Sequence, residues 1–318
     1  MTPSLDIVIV NWNAGPLLRQ CLVSMSEARA ATFSLARVIV VDNASSDDSL
    51  DQLAALPIPL TVVCNQSNRG FGAACNQGAS HGDAPYVLFL NPDTVLGPES
   101  LSIPLAYLEE PAHADVGVVG VQLVDGRGQV ARSSARKPTP AMIAARILGL
   151  DVLFPRRVPL LFMTDWDHQS TRDVDHVIGA FYLIRRDLLC RLQGFDERFF
   201  VYLEDLDMSV RAQQVGARVV YLSTAQAGHI GGGTSDRVKA SRIAYSLHSR
   251  ILYGFKHFTR GQAMSLAAGT LIVEPFLRIA RAVGRGSREE FKDTVVGYIR
   301  LWGRVFAHLA QRRRPVAH

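Results

Sequence analysis

The chain has 318 residues, 48% hydrophobic and 20% charged, which excludes wholesale disorder and leaves room for one large domain or two modest ones. Its net charge of +5 is unevenly placed: residues 276–318 hold nine Arg and one Lys against Glu289, Glu290 and Asp293, a balance of +7, and residues 1–275 carry −2. A binder of nucleic acid, whose basic character would cover the folded surface, is therefore disfavoured, and no nucleic-acid partner is expected. The four cysteines, Cys21, Cys64, Cys75 and Cys190, form no CxxC pair and have apolar or small neighbours, so buried free thiols of a reducing compartment are expected. The N-terminus lacks a basic region followed by a cleavable apolar segment, so no signal peptide is expected.

In chain order, residues 7–10, 38–41, 60–63 and 86–90 are short runs of Val, Ile and Leu, the pattern of strands covered on both faces. Between the first two, Pro16 suits a first helical turn and Leu17, Leu18, Cys21, Leu22 and Met25 form one apolar stripe. Ser46 is placed to cap a second helix carrying Leu50, Leu53 and Ala54. The alternation predicts an α/β fold with a mostly parallel sheet and helices on both faces, and such sheets bind ligands beyond the strand C-termini. There the chain supplies Asn11-Trp12-Asn13, Asp42-Asn43-Ala44-Ser45, Asn65 with Asn68-Arg69-Gly70-Phe71-Gly72, and Asn91-Pro92-Asp93. Asn and Asp also favour turns, but four polar strand ends on one rim predict a binding crevice.

Residues 100–175 are interrupted by Pro138, Pro140, Pro155 and Pro159 and carry Arg132, Arg136, Arg156 and Arg157, which reads as a variable loop region over the crevice. Residues 177–184 then read as a strand and 187–192 as a short helix. After Gly194-Phe195-Asp196-Glu197 and an apolar approach through Phe199, Phe200, Tyr202 and Leu203 come Glu204-Asp205-Leu206-Asp207 at the start of another helix. Three acids within four residues read either as a helix N-terminal cap or as a general base at the edge of a core. Asn91-Pro92-Asp93 reads either as a turn or as a carboxylate reaching a divalent cation on a diphosphate. His229, followed by Gly231-Gly232-Gly233-Thr234-Ser235, reads either as structural or as a ligand beside a backbone able to approach closely. Gly70-Phe71-Gly72-Ala73-Ala74-Cys75 imitates a dinucleotide fingerprint, but it follows the third strand and ends in Cys, which argues against a nicotinamide enzyme.

Beyond Gly233 the chain reads as mostly helical. The best membrane-span candidate, 263–273, has eleven residues before Glu274-Pro275. A span needs roughly 20, so a buried or interfacial helix is expected. Phe276, Leu277, Ile279, Ala280 and Val283 alternate with Arg278, Arg281 and Arg285. Val295, Ile299, Trp302, Val305, Phe306 and Leu309 form a stripe opposed by Arg300, Arg304 and Arg312-Arg313-Arg314. Such basic amphipathic helices read either as lying on an anionic membrane surface or as packing on the rest of the chain or a second subunit of a homo-oligomer.

These stretches, in this order over about residues 5–235, resemble family 2 glycosyltransferases of the GT-A fold, closest to bacterial rhamnosyltransferases. The resemblance implies a Rossmann-like catalytic domain over 1–236 and a helical, basic region over 237–318. It implies that Val10 and Trp12 line the base pocket, that Asp42 binds the nucleoside, and that Arg69 and Gly70 approach the nucleotide. Asn91 and Asp93 stand at the family's DxD position, so Asp93, with His229, would hold Mg²⁺ or Mn²⁺. Gly179, Ala180 and Phe181 would flank the acceptor and donor sugar, and Asp205 would be the catalytic base, with Glu204 the second candidate. The implied reaction inverts the anomeric centre. The implied donor is dTDP-L-rhamnose, with UDP-hexose or UDP-galactofuranose the alternative. A cell-surface glycan or polyprenyl-diphosphate-linked acceptor is implied, with the enzyme cytoplasmic and peripheral on the inner membrane face. A non-catalytic sugar-nucleotide-binding protein is the competing class, and the presence of Asp42, Asp93, Asp205 and His229 together favours the enzyme.

Overall fold

A computed structural model describes residues 2–28, 32–51, 53, 56–154, 157–231 and 239–312, with side chains to residue 307 in the last stretch. The chain divides into a sheet unit (Met1–Lys137, Phe162–Phe200 and Glu204–Thr234) and a helical unit (Pro138–Leu161, Val201–Leu203 and Ser235–His318).

The apolar runs of the first ninety residues become β1 (Ser4–Asn11), β2 (Ser34–Asp42), β3 (Leu60–Cys64) and β4 (Tyr86–Leu90). β3, β2, β1 and β4 pair in parallel in that spatial order. After β5 (Thr94–Leu96), the sheet continues through β6 (Val116–Val124). Two short strands, β7 (Ser134–Ala135) and β8 (Arg172–Asp173), precede β9 (His176–Val177), β10 (Phe181–Arg185) and β11 (Arg218–His229). β10 runs antiparallel between β4 and β6, β6 pairs in parallel with β11, and β5 closes the edge antiparallel to β11. The sheet is mostly parallel and carries helices on both faces.

Strand alternation sorts the core. Ile7 and Ile9 face one layer with Leu18, Leu22 and Met25 of α1 (Pro16–Glu27). Val8 and Val10 face the other with Ala74 and Cys75 of α2 (Phe71–Ala79). α3 (Ser102–Glu109) joins the first layer through Leu105 and Leu108.

Four expectations are corrected. Residues 46–51 form bends and turns, not an α-helix, and Leu53 lies in a 3-10 turn; Gln52 and Ala54 lie outside the described residues. Ser46 N–H donates to Asn13 Oδ1 at 2.8 Å, and Asp47 accepts from Gly15 N–H and the Ser49 hydroxyl. Short polar side chains that bond nearby backbone compete with helix formation. The 177–184 run breaks at Ile178–Gly179: β9 pairs with β7 in a separate ribbon, and only β10 enters the main sheet. Residues 100–175 are not one loop, since they hold α3 and the central strand β6. Finally, Cys21 and Cys75 are buried free thiols, whereas Cys64 and Cys190 are exposed ones.

The helical unit has its own core. It begins with α4 (Pro140–Ile147) and α5 (Leu150–Leu153), in the stretch expected to be loop. In the sheet unit α6 (Arg186–Arg191) and α7 (Glu204–Gln214) follow β10, and the helical unit resumes with α8 (Lys239–His257), α9 (Arg260–Ala268), α10 (Glu274–Gly284) and α11 (Arg288–Arg312). Ile143, Ile147, Leu247, Ile251, Leu266 and Leu301 make its apolar centre. Arg260–Gly284 is one continuous helical stretch, longer than the eleven-residue apolar run suggested, with a π-turn at Gly269–Val273.

Candidate active site

Parallel pairing brings the C-terminal ends of β1, β2, β3 and β4 to one rim, and the polar residues after them meet there. Asn11 is fully buried, and its amide donates to Asp42 Oδ1 at 2.7 Å and to the Ser49 hydroxyl at 2.7 Å. Asp42 Oδ2 accepts from Ser45 N–H at 3.0 Å. Asp42 therefore lies beneath the rim with both oxygens engaged, and a nucleoside could reach it only through the remaining lone pairs. Val10 is buried in the sheet's second layer, and Trp12 beside it is half-buried.

Asn43 ties the second and third strand ends together. Its amide donates to Gly70 C=O at 3.1 Å, and its oxygen accepts from Asn65 at 2.9 Å. Gly70 has φ +88°, and a Cβ built on it would lie 2.3 Å from Phe200 O, so the turn into α2 admits no side chain. Phe71 N–H donates to that same Phe200 O at 2.7 Å. Asn76 then clamps Phe195 from both sides, accepting from its N–H at 2.8 Å and donating to its C=O at 2.9 Å. These bonds explain how Asn68-Arg69-Gly70 and Gly194-Phe195 come together across more than a hundred residues. Arg69 itself is about half exposed and held only by long contacts to Gln77 at 3.4 Å and Glu197 at 4.0 Å, so its guanidinium is available to an anion.

β5 and β11 bring the other acidic position into place. Their register sets Thr94 opposite His229, and His229 Nε2 lies 3.3 Å from Asp93 Oδ1. Both side chains are largely covered. Among the described residues no cluster of three or more metal-ligating side chains occurs. The pair nevertheless fits a small divalent cation: adjacent donors of an octahedron at 2.1 Å stand about 3.0 Å apart, and such ions take few protein ligands and fill the rest with water or phosphate oxygens. Asn91 lies on the same turn, with its N–H donating to Ala180 C=O at 3.1 Å. Gly232, Gly233, Thr234 and Ser235, expected to follow His229 at the site, lie outside the described residues.

The three acids of 204–207 separate into three environments. Asp207 is fully buried and structural: it pairs with Arg211 at 2.7 Å, and Arg211 in turn donates to the carbonyls of Leu192 and Gly194. Glu204 is 4% exposed, and its Oε2 has no hydrogen-bond partner. Burial, reinforced by the charges of Asp205 and Asp207, pushes its carboxyl well above the usual range. Asp205 keeps 18% of its side chain exposed. Burial works to raise its carboxyl too, but the His176 imidazole and the N–H groups of Gly179 and Leu206 override that and hold it below the usual value. The geometry agrees: Asp205 Oδ2 lies 2.8 Å from Gly179 N and 3.5 Å from His176 Nε2. His176 is buried; its Nδ1 lies 3.0 Å from the Ser209 hydroxyl, which also meets Tyr182 OH at 3.0 Å.

Gly179 bonds Asp205, Ala180 bonds Asn91, and Phe181 pairs with Leu90, so the segment expected to flank the sugars links the acid pair to the Asp93 turn. Sequence reasoning missed His176, Ser209 and Tyr182. A lone His between Asp175 and Val177 gives no signal by spacing; only the fold shows that it backs Asp205. Immediately before the acids, Tyr202 and Leu203 both have left-handed backbones, φ +70° and +66°. Two such non-glycine residues in succession store strain of a kind that clusters at functional sites.

Known proteins resemble this chain in sequence and in fold. The chain is 28% identical over 311 residues, 92% of its length and 98% of the relative's, to the N-acetylglucosaminyl-diphospho-decaprenol L-rhamnosyltransferase of Mycobacterium tuberculosis. It is 29% identical over 150 residues, 46% of this chain and 53% of the relative, to rhamnosyltransferase WbbL of Escherichia coli. Among solved structures it resembles the Pyrobaculum calidifontis mannosyltransferase determined with GDP-Man and Mn²⁺, at TM-score 0.56, 15% identity and coverage of 95% and 88% of the two chains. Staphylococcus aureus TarS with UDP-GlcNAc matches at TM-score 0.52 and 16% identity, over 94% of this chain and 81% of that one. These likenesses identify the fold as GT-A. The model of the "Glycosyl transferase family 2" family matches residues 6–192. The chain is a glycosyltransferase and belongs to glycosyl transferase family 2.

Proposed function

We propose that this glycosyltransferase moves L-rhamnose from dTDP-L-rhamnose onto a hydroxyl of a polyprenyl-diphosphate-linked glycan, with inversion, at the cytoplasmic face of the membrane. The observation that carries the reading is the continuous linkage from Asp205 through Gly179 and Ala180 to Asn91 and the Asp93–His229 pair. The rhamnosyl group and the polyprenyl-diphosphate acceptor class follow the name of the Mycobacterium tuberculosis relative, 98% of which the chain matches.

Asp205 is the base. It is the more exposed member of the acid pair and the one whose neighbours favour the ionised form, whereas Glu204 is sealed in and burial favours its protonated form. Asp205 takes the proton of the acceptor hydroxyl while that oxygen bonds to the anomeric carbon of the sugar. The bond from that carbon to the diphosphate oxygen breaks, and its electron pair leaves with the nucleoside diphosphate. Arg69 meets the departing anion, and the Asn11–Asp42 floor with Trp12 receives the nucleoside. Asp93 and His229 would hold Mg²⁺ or Mn²⁺, which supplies charge compensation for the leaving diphosphate. His176 positions Asp205 and favours its ionised form; Ser209 holds His176, and Tyr182 in turn meets Ser209.

The test is nucleotide release and product mass with dTDP-rhamnose, UDP-glucose, UDP-galactose and UDP-N-acetylglucosamine, with a polyprenyl-diphosphate sugar as acceptor and with or without Mn²⁺. Turnover with dTDP-rhamnose alone is expected, and turnover with a UDP-hexose alone overturns the donor. Binding without turnover of any donor favours the non-catalytic class. Asp93→Ala is expected to remove the Mn²⁺-dependent part of donor affinity in calorimetry, and activity unchanged by EDTA would refute the metal role.

A further inference from the structure

The helical unit exposes large apolar side chains from two segments far apart in sequence. On the stretch ending in α10, Ile272, Phe276 and Val283 are 62%, 70% and 64% exposed. With Val273, Leu277 and Ala280 they recur at helical spacing on one face, without a polar residue among them. The opposite side of the same helix is packed: Glu274, Pro275 and Ala282 are buried. Beside it runs the α4–α5 turn, where Leu148, Val152, Leu153 and Phe154 are each about half exposed or more. The Arg281 guanidinium approaches Gly149 so closely that a Cβ there would lie 3.0 Å from it, which sets this turn against α10.

From this geometry we infer that the α10 face and the α4–α5 turn together form a membrane-docking surface that lies in the interface of an anionic bilayer. Contiguous exposed apolar patches mark interaction sites. Charge selects the occupant. Arg281, Arg285 and Arg288 stand exposed along α10 and the turn after it, and residues 276–318 carry +7 in spite of Glu289, Glu290 and Asp293. Two of those acids are already paired, Glu289 with Lys239 and Glu290 with Arg285. An apolar face bordered by arginine suits acyl chains beneath anionic headgroups.

The helix lies on the bilayer and does not cross it. Arg260–Gly284 has 25 residues and contains an 18-residue window of mean hydropathy 1.4, enough by length and composition to span. However, Glu274 is buried in the unit's interior between Arg250 and Arg278, with Arg278 at 2.8 Å and Thr270 bonded to Arg250 at 2.9 Å. Spanning would tear this cluster open and carry its charges into hydrocarbon. The surface is read from the helical unit alone and stands whether or not the donor or acceptor is as proposed.

Flotation of the full-length protein with phosphatidylcholine vesicles, with and without phosphatidylglycerol, tests the inference. Wild type is expected to float only with the anionic vesicles, and less so at high salt. Phe276→Glu and Leu153→Glu are each expected to weaken vesicle affinity by tenfold or more, because each puts a charge in the apolar face. Val215→Glu, at an exposed position of the sheet unit, is the control and should float like wild type. Equal flotation by Phe276→Glu and wild type overturns the proposal. So does a wild type that ignores both vesicles but is dimeric by light scattering and becomes monomeric on Phe276→Glu, since the face then belongs to a second copy. Retention in cell membranes through alkaline carbonate extraction overturns the lying orientation in favour of a span.

Discussion

In the sheet unit the unusual side chains are polar and buried: Asn11, Asp42, Asn43, His176 and Glu204. In the helical unit they are apolar and exposed: Phe154, Ile272, Phe276, Val283, Ile299 and Phe306. Neither choice helps folding. An unpartnered buried polar group costs about 1–3 kcal/mol, and an exposed large apolar side chain forgoes roughly 1.5–3 kcal/mol of burial. The two departures point to different ligands. Polar groups fixed below a rim suit a small ionic molecule that must be oriented, and apolar groups spread along helices suit an extended apolar phase. On the proposed reading, one chain carries a site that reads chemistry and a surface that reads location.

The contrast predicts that substitutions among the buried polar groups change turnover or its pH dependence. The largest effect is expected from Asp205→Asn, which should lower the transfer rate by about 10²–10⁴-fold with donor affinity retained in calorimetry. Loss of donor affinity instead would move Asp205 from chemistry to binding. Next comes His176→Gln, with kcat down about tenfold and KM for the donor little changed. The acid limb of its pH–rate profile should move to higher pH. His176 holds the Asp205 carboxyl down, so without it the base stays protonated to a higher pH. A uniform loss at all pH values would mean a merely structural role.

Gly70→Ala is expected to destabilise by about 1–3 kcal/mol through its left-handed backbone and the clash with Phe200 O, read as a lower Tm. An unchanged Tm would mean that the α2 turn is free to shift. The smallest effect on rate is expected for Glu204→Gln. Because the native Glu204 carboxyl is raised, the unfolded chain releases that proton first as pH climbs past the ordinary Glu value of about 4.3. Wild type then loses stability across the window up to the raised value, and the Gln variant does not. The Tm advantage of Glu204→Gln should therefore grow from pH 4 to pH 8. A collapse of turnover in this variant would make Glu204 the base.

The readable part of the site was the part made of contiguous signals. Buried parallel strands are unbroken apolar runs, so β1, β2 and β4 and the residues following them, Asn11, Asp42 and Asn91 to Asp93, could be placed from sequence. β6 and β11 were harder, since Gly117 and Gly120 interrupt the first and Ser, Thr and Gln the second. Without β11 the approach of His229 to Asp93 has no visible basis. The helix expected after Ser46 failed because Ser45 and Asp47 accept from the Asn13 and Gly15 N–H groups beyond β1, and Asp47 also accepts from Ser49 within the turn. His176 was invisible because its partners, Asp205 and Ser209, come from α7 about thirty residues later, and α4 because Ile143 and Ile147 find theirs about a hundred residues later.

That last separation governs the order in which the chain becomes complete on the ribosome. Ile143 and Ile147 emerge well before Leu247 and Ile251, roughly 5–20 s earlier at 5–20 residues per second. The segments of the sheet unit are all synthesised by residue 234, but α4 must wait for α8, α9 and α11. Val201, in the strained approach to the acids, waits as well, since its carbonyl accepts from the Ser249 hydroxyl at 2.8 Å. A chain cut at residue 236 would hold that waiting state permanently: it would keep every proposed catalytic side chain yet leave Ile143, Ile147 and the Val201 carbonyl without their partners.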